Sequence, residues 1–313
     1  MAAVLVTGGA GFIGSHLVEA LVRSGDRVRV LDDFSTGSRE NLAGLDVEIV
    51  RGDIRDPSAA AAALAGAQTL YHLAAAVSVP ESLADPRRCY EVNLLGTLTL
   101  LEAGRASRVE RVVLASSCAV YGDGEGPAVE DAPARPLSPY ADSKLAMEGV
   151  ARLYSRTHGP PSVCLRFFNV YGPRQSPLSE YAAVIPRFIR ALVDGDRLEI
   201  HGDGRQTRDF VFIGDAVAAI LRAADPAVPP GEVFNVGTGA SVSILELAQS
   251  LQRLFPEAPP PMHRAARPGD VRSSRADPTR SRRVLGYEPA VGLPEGLQAT
   301  VEWARRSWTP VRR

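Results

Sequence analysis

The chain has 313 residues, of which 45% are hydrophobic and 23% charged, an ordinary balance for a globular protein. Lysine and arginine total 35 and aspartate and glutamate 36, so no overall positive field is available to attract nucleic acid or an anionic membrane. The three cysteines form no CxxC pair of the kind that binds zinc, and no apolar run is long enough to cross a bilayer. These features predict a cytoplasmic protein with no metal site, no nucleic-acid partner and no membrane attachment.

Short apolar runs alternate with segments of helical periodicity along the first half of the chain. The apolar runs predict strands covered on both faces, at residues 4–7, 27–31, 47–50, 69–72, 111–116 and 162–167. The periodic segments predict helices at residues 13–21, 57–66, 89–107 and 139–158. Further along, strands are predicted at 198–200 and 232–235, and helices at 185–193, 215–224, 243–254 and 293–306.

This alternation predicts an α/β fold with a doubly wound, parallel Rossmann sheet. After Asn169 proline and glycine become frequent and the elements shorten, which indicates a smaller C-terminal lobe. We therefore divide the chain into a Rossmann domain at residues 1–168 and a lobe at residues 169–313, some segments of which return to the sheet.

A glycine-rich segment, TGGAGFIG at residues 7–14, follows the first predicted strand and opens the first helix. Gly8 permits a tight turn, Gly11 lets the backbone approach a pyrophosphate, and Gly14 lets the helix pack on the strand. The amides of the first helical turn, which includes Phe12 and Ile13, can then bind phosphate groups. The placement between strand and helix predicts a dinucleotide site.

Two acidic residues, Asp32 and Asp33, end the second strand about twenty residues beyond the glycines, where a carboxylate accepts from ribose hydroxyls. Together they would repel a 2′-phosphate, which favours NAD over NADP. The alternative is that one of them caps the following turn, and Asp33 is the better candidate for that. Asp53 and the adjacent Ile54 either contact the adenine or, in the case of Asp53, cap the helix at Pro57.

A tyrosine and a lysine, Tyr140 and Lys144, are four residues apart at the start of a predicted helix and so share one of its faces. The ammonium is expected to lower the pKa of the tyrosine, which makes it a competent general base. Ser116 and Ser117 end the fifth strand, at the sheet edge where ligands of such folds bind. One of their hydroxyls can pass a proton between a substrate and Tyr140.

Together TGGAGFIG, Asp32, the NLLGT around Asn93, SSCAVYG and YADSK resemble the extended short-chain dehydrogenase/reductase family. The later segments RFFNVYGPRQ, GDGRQTRDFVFI and RPGD look like its nucleotide-sugar branch, and most like the UDP-sugar 4-epimerases. The resemblance implies that residues 1–168 bind NAD and that residues 169–313 mainly bind a UDP-sugar. It also implies a homodimer formed through the helices at 89–107 and 139–158.

The resemblance further implies individual roles. Ser117 would be the catalytic hydroxyl, Tyr140 the base, and Lys144 its electrostatic partner and a ligand of the cofactor ribose. Further cofactor contacts are implied at Ser35, Asp53, Ile54, Ala74 and Asn93. Substrate contacts are implied at Ser78, Asn169, Gln175, Arg208, Arg267, Asp270 and Ser274, with the two arginines clamping the phosphates through their planar guanidinium groups.

The reaction implied is inversion of C4 of a UDP-hexose through a 4-keto intermediate. Related 4,6-dehydratases carry an acidic residue in the loop after the fifth strand, where this chain has Cys118 and Ala119. Ser274 stands at a slot where glucose-restricted members place a bulky tyrosine, which leaves room for an N-acetyl group. A UDP-glucuronate 4-epimerase stays an alternative, since Arg174, Ser78 and the strand-end serines could receive a carboxylate.

Two other classes of function remain open. One is a non-catalytic NAD(H)-binding sensor of the same fold, although such a protein needs neither the Tyr/Lys pair nor the serine. The other is an NADPH-dependent reductase-epimerase acting on GDP-deoxyhexoses, suggested by the SSC segment but disfavoured by Asp32 and Asp33.

Overall fold

The computed structural model describes residues 2–124, 126–157, 159–177, 183–266 and 271–309. The strands are β1 (Ala3–Thr7), β2 (Arg27–Asp32), β3 (Val47–Arg51), β4 (Thr69–His72), β5 (Arg111–Ser117), β6 (Ser162–Phe167), β7 (Asn169–Tyr171), β8 (Glu199–His201), β9 (Thr207–Arg208), β10 (Phe210–Phe212), β11 (Val233–Val236), β12 (Val242–Ser243), β13 (Met262–Arg264) and β14 (Ser273–Ser274). The helices are α1 (Phe12–Arg23), α2 (Pro57–Leu64), α3 (Val79–Ala84), α4 (Pro86–Tyr90), α5 (Gly96–Ala106), α6 (Pro139–Thr157), α7 (Val184–Val193), α8 (Ile213–Ala223), α9 (Ile244–Leu254), α10 (Thr279–Leu285) and α11 (Leu293–Ser307).

Within the described part of the chain, a parallel sheet of seven strands has the order β11-β6-β5-β4-β1-β2-β3. The chain winds outward in both directions from β1 and β4, so the carboxyl ends of these strands leave a crevice between them. The glycine-rich turn after β1 and the serines at the end of β5 both lie at this edge. The α/β, doubly wound fold expected from the sequence is confirmed.

Three clusters of buried side chains flank the sheet. One combines β1 and β2 with α1 and α8, and a second covers the opposite face with α2, α5 and α6. The third lies away from the sheet and joins α7, α9 and α11 to the short strands β8 and β10. The strand predicted at residues 232–235 is β11, one residue further along, and it pairs with β6.

The helix predicted at residues 89–107 is wrong as a single element. The structure divides it into α4, a π-helical turn at Glu91–Leu95, and α5. The turn buries Asn93, which would not face the same neighbours in a regular helix. Sequence periodicity also misses the short strands outside the main sheet, because two or three residues cannot show a period.

None of the helices in the described ranges has the length and apolar character needed to cross a membrane.

Candidate active site

The turn between β1 and α1 is packed so closely that side chains are excluded from it. Gly8 has a φ of 69°, and a Cβ at Gly14 would lie 2.1 Å from the carbonyl oxygen of Gly8. Helix α1 begins after Gly11 with no side-chain cap, so the amides of its first turn have no intrahelical partner. The turn between β1 and α1 therefore fits a pyrophosphate, whose binding requires close approach of the backbone and unpaired N–H groups.

Asp32 lies at the end of β2 and is 6% exposed. Its carboxylate accepts hydrogen bonds of 2.9 Å from the amides of Ala10 in the glycine turn and Phe34 in the next loop. Burial raises the pKa of Asp32, while these two amides act in the opposite direction. Asp33 accepts from the Ser35 amide at 2.8 Å and from its hydroxyl at 2.6 Å, which is the turn-capping role expected of it.

Asp53 does not cap α2, because the cap is Asp56, which accepts from the Ser58 amide at 2.8 Å. Asp53 is bound to its neighbour Arg55 by an ion pair of 2.6 Å. Ile54 is buried against Gly96. An adenine contact by Asp53 and Ile54 remains a prediction.

Asn93 is 1% exposed and its side-chain amide is engaged within the protein. It donates to the carbonyl of Ala76 at 3.0 Å and accepts from the amide of the same residue at 2.8 Å. The amide of Ala74 donates to the Thr7 hydroxyl at 3.3 Å. Asn93 therefore fixes the loop that follows β4, and any contact of Asn93 or Ala74 with the cofactor remains a prediction.

The three predicted catalytic side chains meet where α6 packs on the end of β5. The Ser117 hydroxyl faces the Tyr140 phenol as a hydrogen-bond partner, and it also accepts from the Ala119 amide at 3.1 Å. Lys144 is 3% exposed and donates from Nζ to the carbonyl of Ala115 at 2.8 Å. Ser116 is occupied elsewhere, since its hydroxyl donates to Glu148 at 2.5 Å. Of the two strand-end serines, the structure brings Ser117 to the tyrosine.

In the chain by itself, Lys144 does not bring the pKa of Tyr140 below its usual value. Burial raises the pKa of Tyr140 to about 12, and the hydrogen bond with Ser117 only partly opposes this. Burial also lowers the pKa of Lys144 to about 8, while Cys164, Cys89 and Glu148 act to raise it. A low-dielectric pocket favours the neutral form of both groups. The protein alone therefore keeps the proton on Tyr140.

Beside this trio the structure contains a buried ion pair that sequence reasoning misses. Arg166 on β6 donates to both carboxylate oxygens of Glu148, at 2.9 and 2.7 Å, and both side chains are about 5% exposed or less. The Arg166 guanidinium also stacks on the ring of Tyr121 at 4.8 Å. Its sequence signal is weak: one arginine in an otherwise apolar strand, and one glutamate four residues after Lys144.

A cavity of about 390 Å³ lies between β7, α7, β8 and β10. It contains three of the predicted substrate residues, Asn169, Gln175 and Arg208, together with Arg187, which sequence reasoning does not identify. The Gln175 Oε1 atom is buried with no hydrogen-bond partner among the described residues, so it is available as an acceptor. The cavity can therefore hold an anionic, hydrogen-bonding ligand.

Two other predicted substrate residues lie at the borders of this region. Ser274 in β14 is the register partner of Arg208, and its hydroxyl contacts the thiol of Cys118 at 3.9 Å. Ser78 caps α3 by accepting from the Glu81 amide at 3.2 Å, and Val79 next to it lines the cavity. Arg267 and Asp270 lie outside the described residues.

Comparison with known proteins identifies the family. The model of the NAD dependent epimerase/dehydratase family matches residues 4–237. The chain belongs to this family. Its cofactor is NAD, in agreement with the glycine turn and the two acidic residues after β2.

Individual relatives cover nearly the whole chain. UDP-glucose 4-epimerase of Mycolicibacterium smegmatis is 42% identical, over 96% of this chain and 98% of the relative. The solved UDP-N-acetylglucosamine 4-epimerase of Methanobrevibacter ruminantium, in complex with UDP-N-acetylmuramic acid, is 35% identical with a TM-score of 0.94, and covers 98% and 99% of the two chains. The structure of MoeE5 with UDP-glucuronic acid and NAD is 40% identical with a TM-score of 0.89, and covers 98% and 100%.

The packing of the glycine turn leads to a first prediction. Gly14→Ala places a methyl group against the Gly8 carbonyl, so we expect it to lose about 1–3 kcal/mol of stability or more and most of its bound dinucleotide. Urea unfolding and the dinucleotide released by heating measure the two effects. Gly124→Ala is the control, because a Cβ there meets open space. Equal NAD content and stability in both variants would contradict this account of the turn.

The burial of Lys144 leads to a second prediction, for protein stripped of dinucleotide. One pKa unit is about 1.4 kcal/mol, so a fall from 10.5 to about 8 makes the buried ammonium cost roughly 2–4 kcal/mol. This cost is complete below pH 8 and disappears as the pH rises to 10.5, where the unfolded chain also loses its proton. Lys144→Met should therefore be more stable than wild type at pH 7, by about 1–3 kcal/mol after loss of the bond to Ala115, and lose this advantage by pH 10.5.

The control for this prediction is Arg111→Met. Arg111 is a cation that is 4% exposed and donates to the carbonyls of Ala223 and Val228, but a guanidinium does not titrate in this range. The Arg111→Met variant should therefore have a lower free energy of unfolding than wild type at every pH. If the difference in the free energy of unfolding between Lys144→Met and wild type stays constant from pH 7 to 10.5, burial does not lower the pKa of Lys144.

Proposed function

We propose that this protein is an isomerase that inverts C4 of a UDP-hexose, namely the UDP-glucose/UDP-galactose pair or its N-acetylated counterpart, with NAD as cofactor. The observation that carries the proposal is the convergence of Ser117, Tyr140 and Lys144 at the sheet edge that also presents the glycine turn. The similarity of nearly the full chain to UDP-sugar 4-epimerases supports it.

In the proposed mechanism, Tyr140 removes the proton of the sugar 4-hydroxyl, with the Ser117 hydroxyl relaying it. When bound, NAD would supply the acceptor and later the donor of the C4 hydride. Lys144 provides the positive charge that favours the phenolate form of Tyr140 and binds the cofactor ribose. The 4-keto sugar turns about its pyrophosphate before Tyr140 gives the proton back. The cycle consumes no net oxidant.

We assign NAD binding to residues 1–168, with Gly8, Gly11, Phe12, Ile13, Gly14 and Asp32 as the first contacts. Residues 169–313 mainly hold the sugar nucleotide. The cavity that contains Asn169, Gln175 and Arg208 supports this assignment, since an arginine and an unpaired buried acceptor suit a nucleoside diphosphate. Arg267 and Asp270 complete the proposed site.

A neutral hexose is favoured over a uronate. Arg174, a candidate carboxylate receptor in the sequence, donates from Nη2 to Glu19 on α1 at 2.6 Å, and its Nη1 atom is buried with no hydrogen-bond partner among the described residues. Ser116 is bound to Glu148. The Ser116 hydroxyl and the Nη2 atom of Arg174 are thus engaged within the protein, while the small Ser274 leaves space for an N-acetyl group.

The test incubates the purified protein separately with UDP-glucose, UDP-N-acetylglucosamine and UDP-glucuronate, and chromatography follows each mixture. We expect at least one neutral sugar to equilibrate with its C4 partner. Tyr140→Phe should lower the rate by about 10²–10⁴-fold, the usual contribution of an acid–base group. Tyr154→Phe, a change on the same helix far from Ser117, is the matched control. An eliminated or reduced product, or full activity of Tyr140→Phe, would refute the mechanism.

We also propose that the enzyme is a cytoplasmic homodimer. Free thiols at all three cysteines support a reducing compartment. The π-turn and α6 expose large apolar side chains in the single chain, with Leu95 52% and Leu153 59% accessible. Gly149 on α6 leaves open space where a second helix could approach. The dimer would form through the segment 89–107, which includes the π-turn and α5, and through α6.

Light scattering tests the dimer. Leu153→Glu should shift the mass toward that of one chain, because it places a charge in an apolar contact. Val129→Glu changes a residue of comparable exposure, 42%, outside these helices and should leave the mass unchanged. A wild-type protein with the mass of one chain would reject the homodimer outright.

A further inference from the structure

Helix α6 presents polar side chains to the end of β5 at intervals of four residues. Tyr140 faces Ser117, Lys144 donates to the carbonyl of Ala115, and Glu148 accepts from the Ser116 hydroxyl. Residues at i, i+4 and i+8 lie along one helix face. Three consecutive residues of the strand are therefore held by one row of the helix. Glu148 is the member of this row with no role in the mechanism so far.

The position of Glu148 is fixed by the sheet itself. Ser116 on β5, Arg166 on β6 and Asn235 on β11 are register partners across three neighbouring strands. Arg166 binds both oxygens of Glu148, and Asn235 accepts from the Tyr121 hydroxyl at 2.6 Å. Beyond Asn235, Glu130 accepts a hydrogen bond from the Asn235 backbone amide at 2.9 Å. The carboxylate thus accepts hydrogen bonds from side chains of two neighbouring strands.

Such a buried pair is weak as a source of stability, because desolvating two charges offsets their attraction. Its location suggests another use. The groups that act on the Lys144 ammonium come from four elements: Cys89 on α4, Cys164 on β6, Glu148 on α6 and His72 on β4. Thiols are mostly protonated near pH 7, and burial lowers the pKa of His72 to about 3. Glu148, which forms the ion pair with Arg166, is the carboxylate among these four groups.

We propose that Glu148 is a positioning residue of this enzyme: fixed by Arg166, its carboxylate anchors the end of β5 through Ser116 and keeps Lys144 in its charged form. The catalytic consequence of this proposal depends on the proposed epimerase mechanism. The effect on Lys144 is a property of the chain and can be measured without turnover. Removing the negative charge makes the ammonium less favourable, so the pKa of Lys144 must fall.

The chain offers an unusually direct measurement, since Lys144 is its only lysine. Protein loaded with NAD and labelled with ¹³C-lysine gives one side-chain signal, and its pH titration reports Lys144 alone. In Glu148→Gln we expect the midpoint to fall by about one pH unit, the lower end of the range for a nearby opposite charge. The alkaline limb of the kcat profile should move by the same amount, with KM unchanged.

Asp215→Asn is the matched control. Asp215 on α8 is also a buried carboxylate, 5% exposed, but it accepts from the amides of Ala290 and Val291, away from the lysine. It should affect stability without moving either titration. Ser116→Ala keeps the ion pair and removes only the anchor, so it should lower kcat about threefold or more, the loss of one hydrogen bond, and leave the Lys144 midpoint in place.

If Glu148→Gln does not fold because Arg166 is left unpaired, Glu148→Gln/Arg166→Met removes both charges and should lower the midpoint by a smaller amount, because the positive charge of Arg166 is removed as well. An unchanged midpoint in the folded variant overturns the electrostatic role, and an unchanged kcat in Ser116→Ala overturns the anchoring role. If the wild-type protein epimerises none of the three UDP-sugars, the proposed function fails, while the lysine titration still decides whether Glu148 holds the charge.

Discussion

The contact of helix α6 with the end of strand β5 is the constraint on which the site depends. Most of this interface is apolar packing, but its upper edge consists of polar groups that are removed from water. Each of them finds a partner within the protein: Tyr140 with Ser117, Lys144 with the Ala115 carbonyl, and Glu148 with Ser116 and Arg166. A shift of α6 by one turn would leave a buried ammonium and a buried carboxylate unpaired, at a cost of several kcal/mol. The register of helix on strand is therefore fixed by the groups that carry the proposed chemistry.

The use of lysine in this chain supports that conclusion. Lysine and arginine together number 35, and Lys144 is the single lysine among them. The other cations, at the surface and in buried positions such as Arg111 and Arg166, are arginines. An arginine cannot release its proton in a protein, whereas a lysine can. The one place where the chain has a compact, titratable ammonium is the place where the mechanism requires it.

The dinucleotide turn and the Tyr140/Lys144 pair could be predicted from the sequence, because their patterns lie within short segments of the chain. The glycine spacing, the acids after β2 and the four-residue interval between Tyr140 and Lys144 each depend on a single element and its geometry. The choice between Ser116 and Ser117 depends on contacts with a helix that is distant in sequence, so the residue pattern by itself does not decide it. Asn93 turns inward only because of a π-helical turn that periodicity does not reveal. Arg166 and Glu148 are neighbours through strand pairing, and one sequence cannot show which strands pair.

Burial has a further consequence for how the proton is controlled. In the chain by itself, burial raises the pKa of Tyr140 to about 12 and lowers that of Lys144 to about 8, so it shifts both groups toward their neutral forms, although Lys144 stays mostly protonated at pH 7. The phenolate form of Tyr140 then needs a positive charge beyond that of Lys144, and the oxidised nicotinamide carries one while the reduced ring does not. Tyr140 would hold its proton weakly before hydride leaves the sugar and strongly afterwards. Under the proposed mechanism, the desolvation that makes Tyr140 a poor base in the chain by itself would make its proton affinity sensitive to the charge of the cofactor.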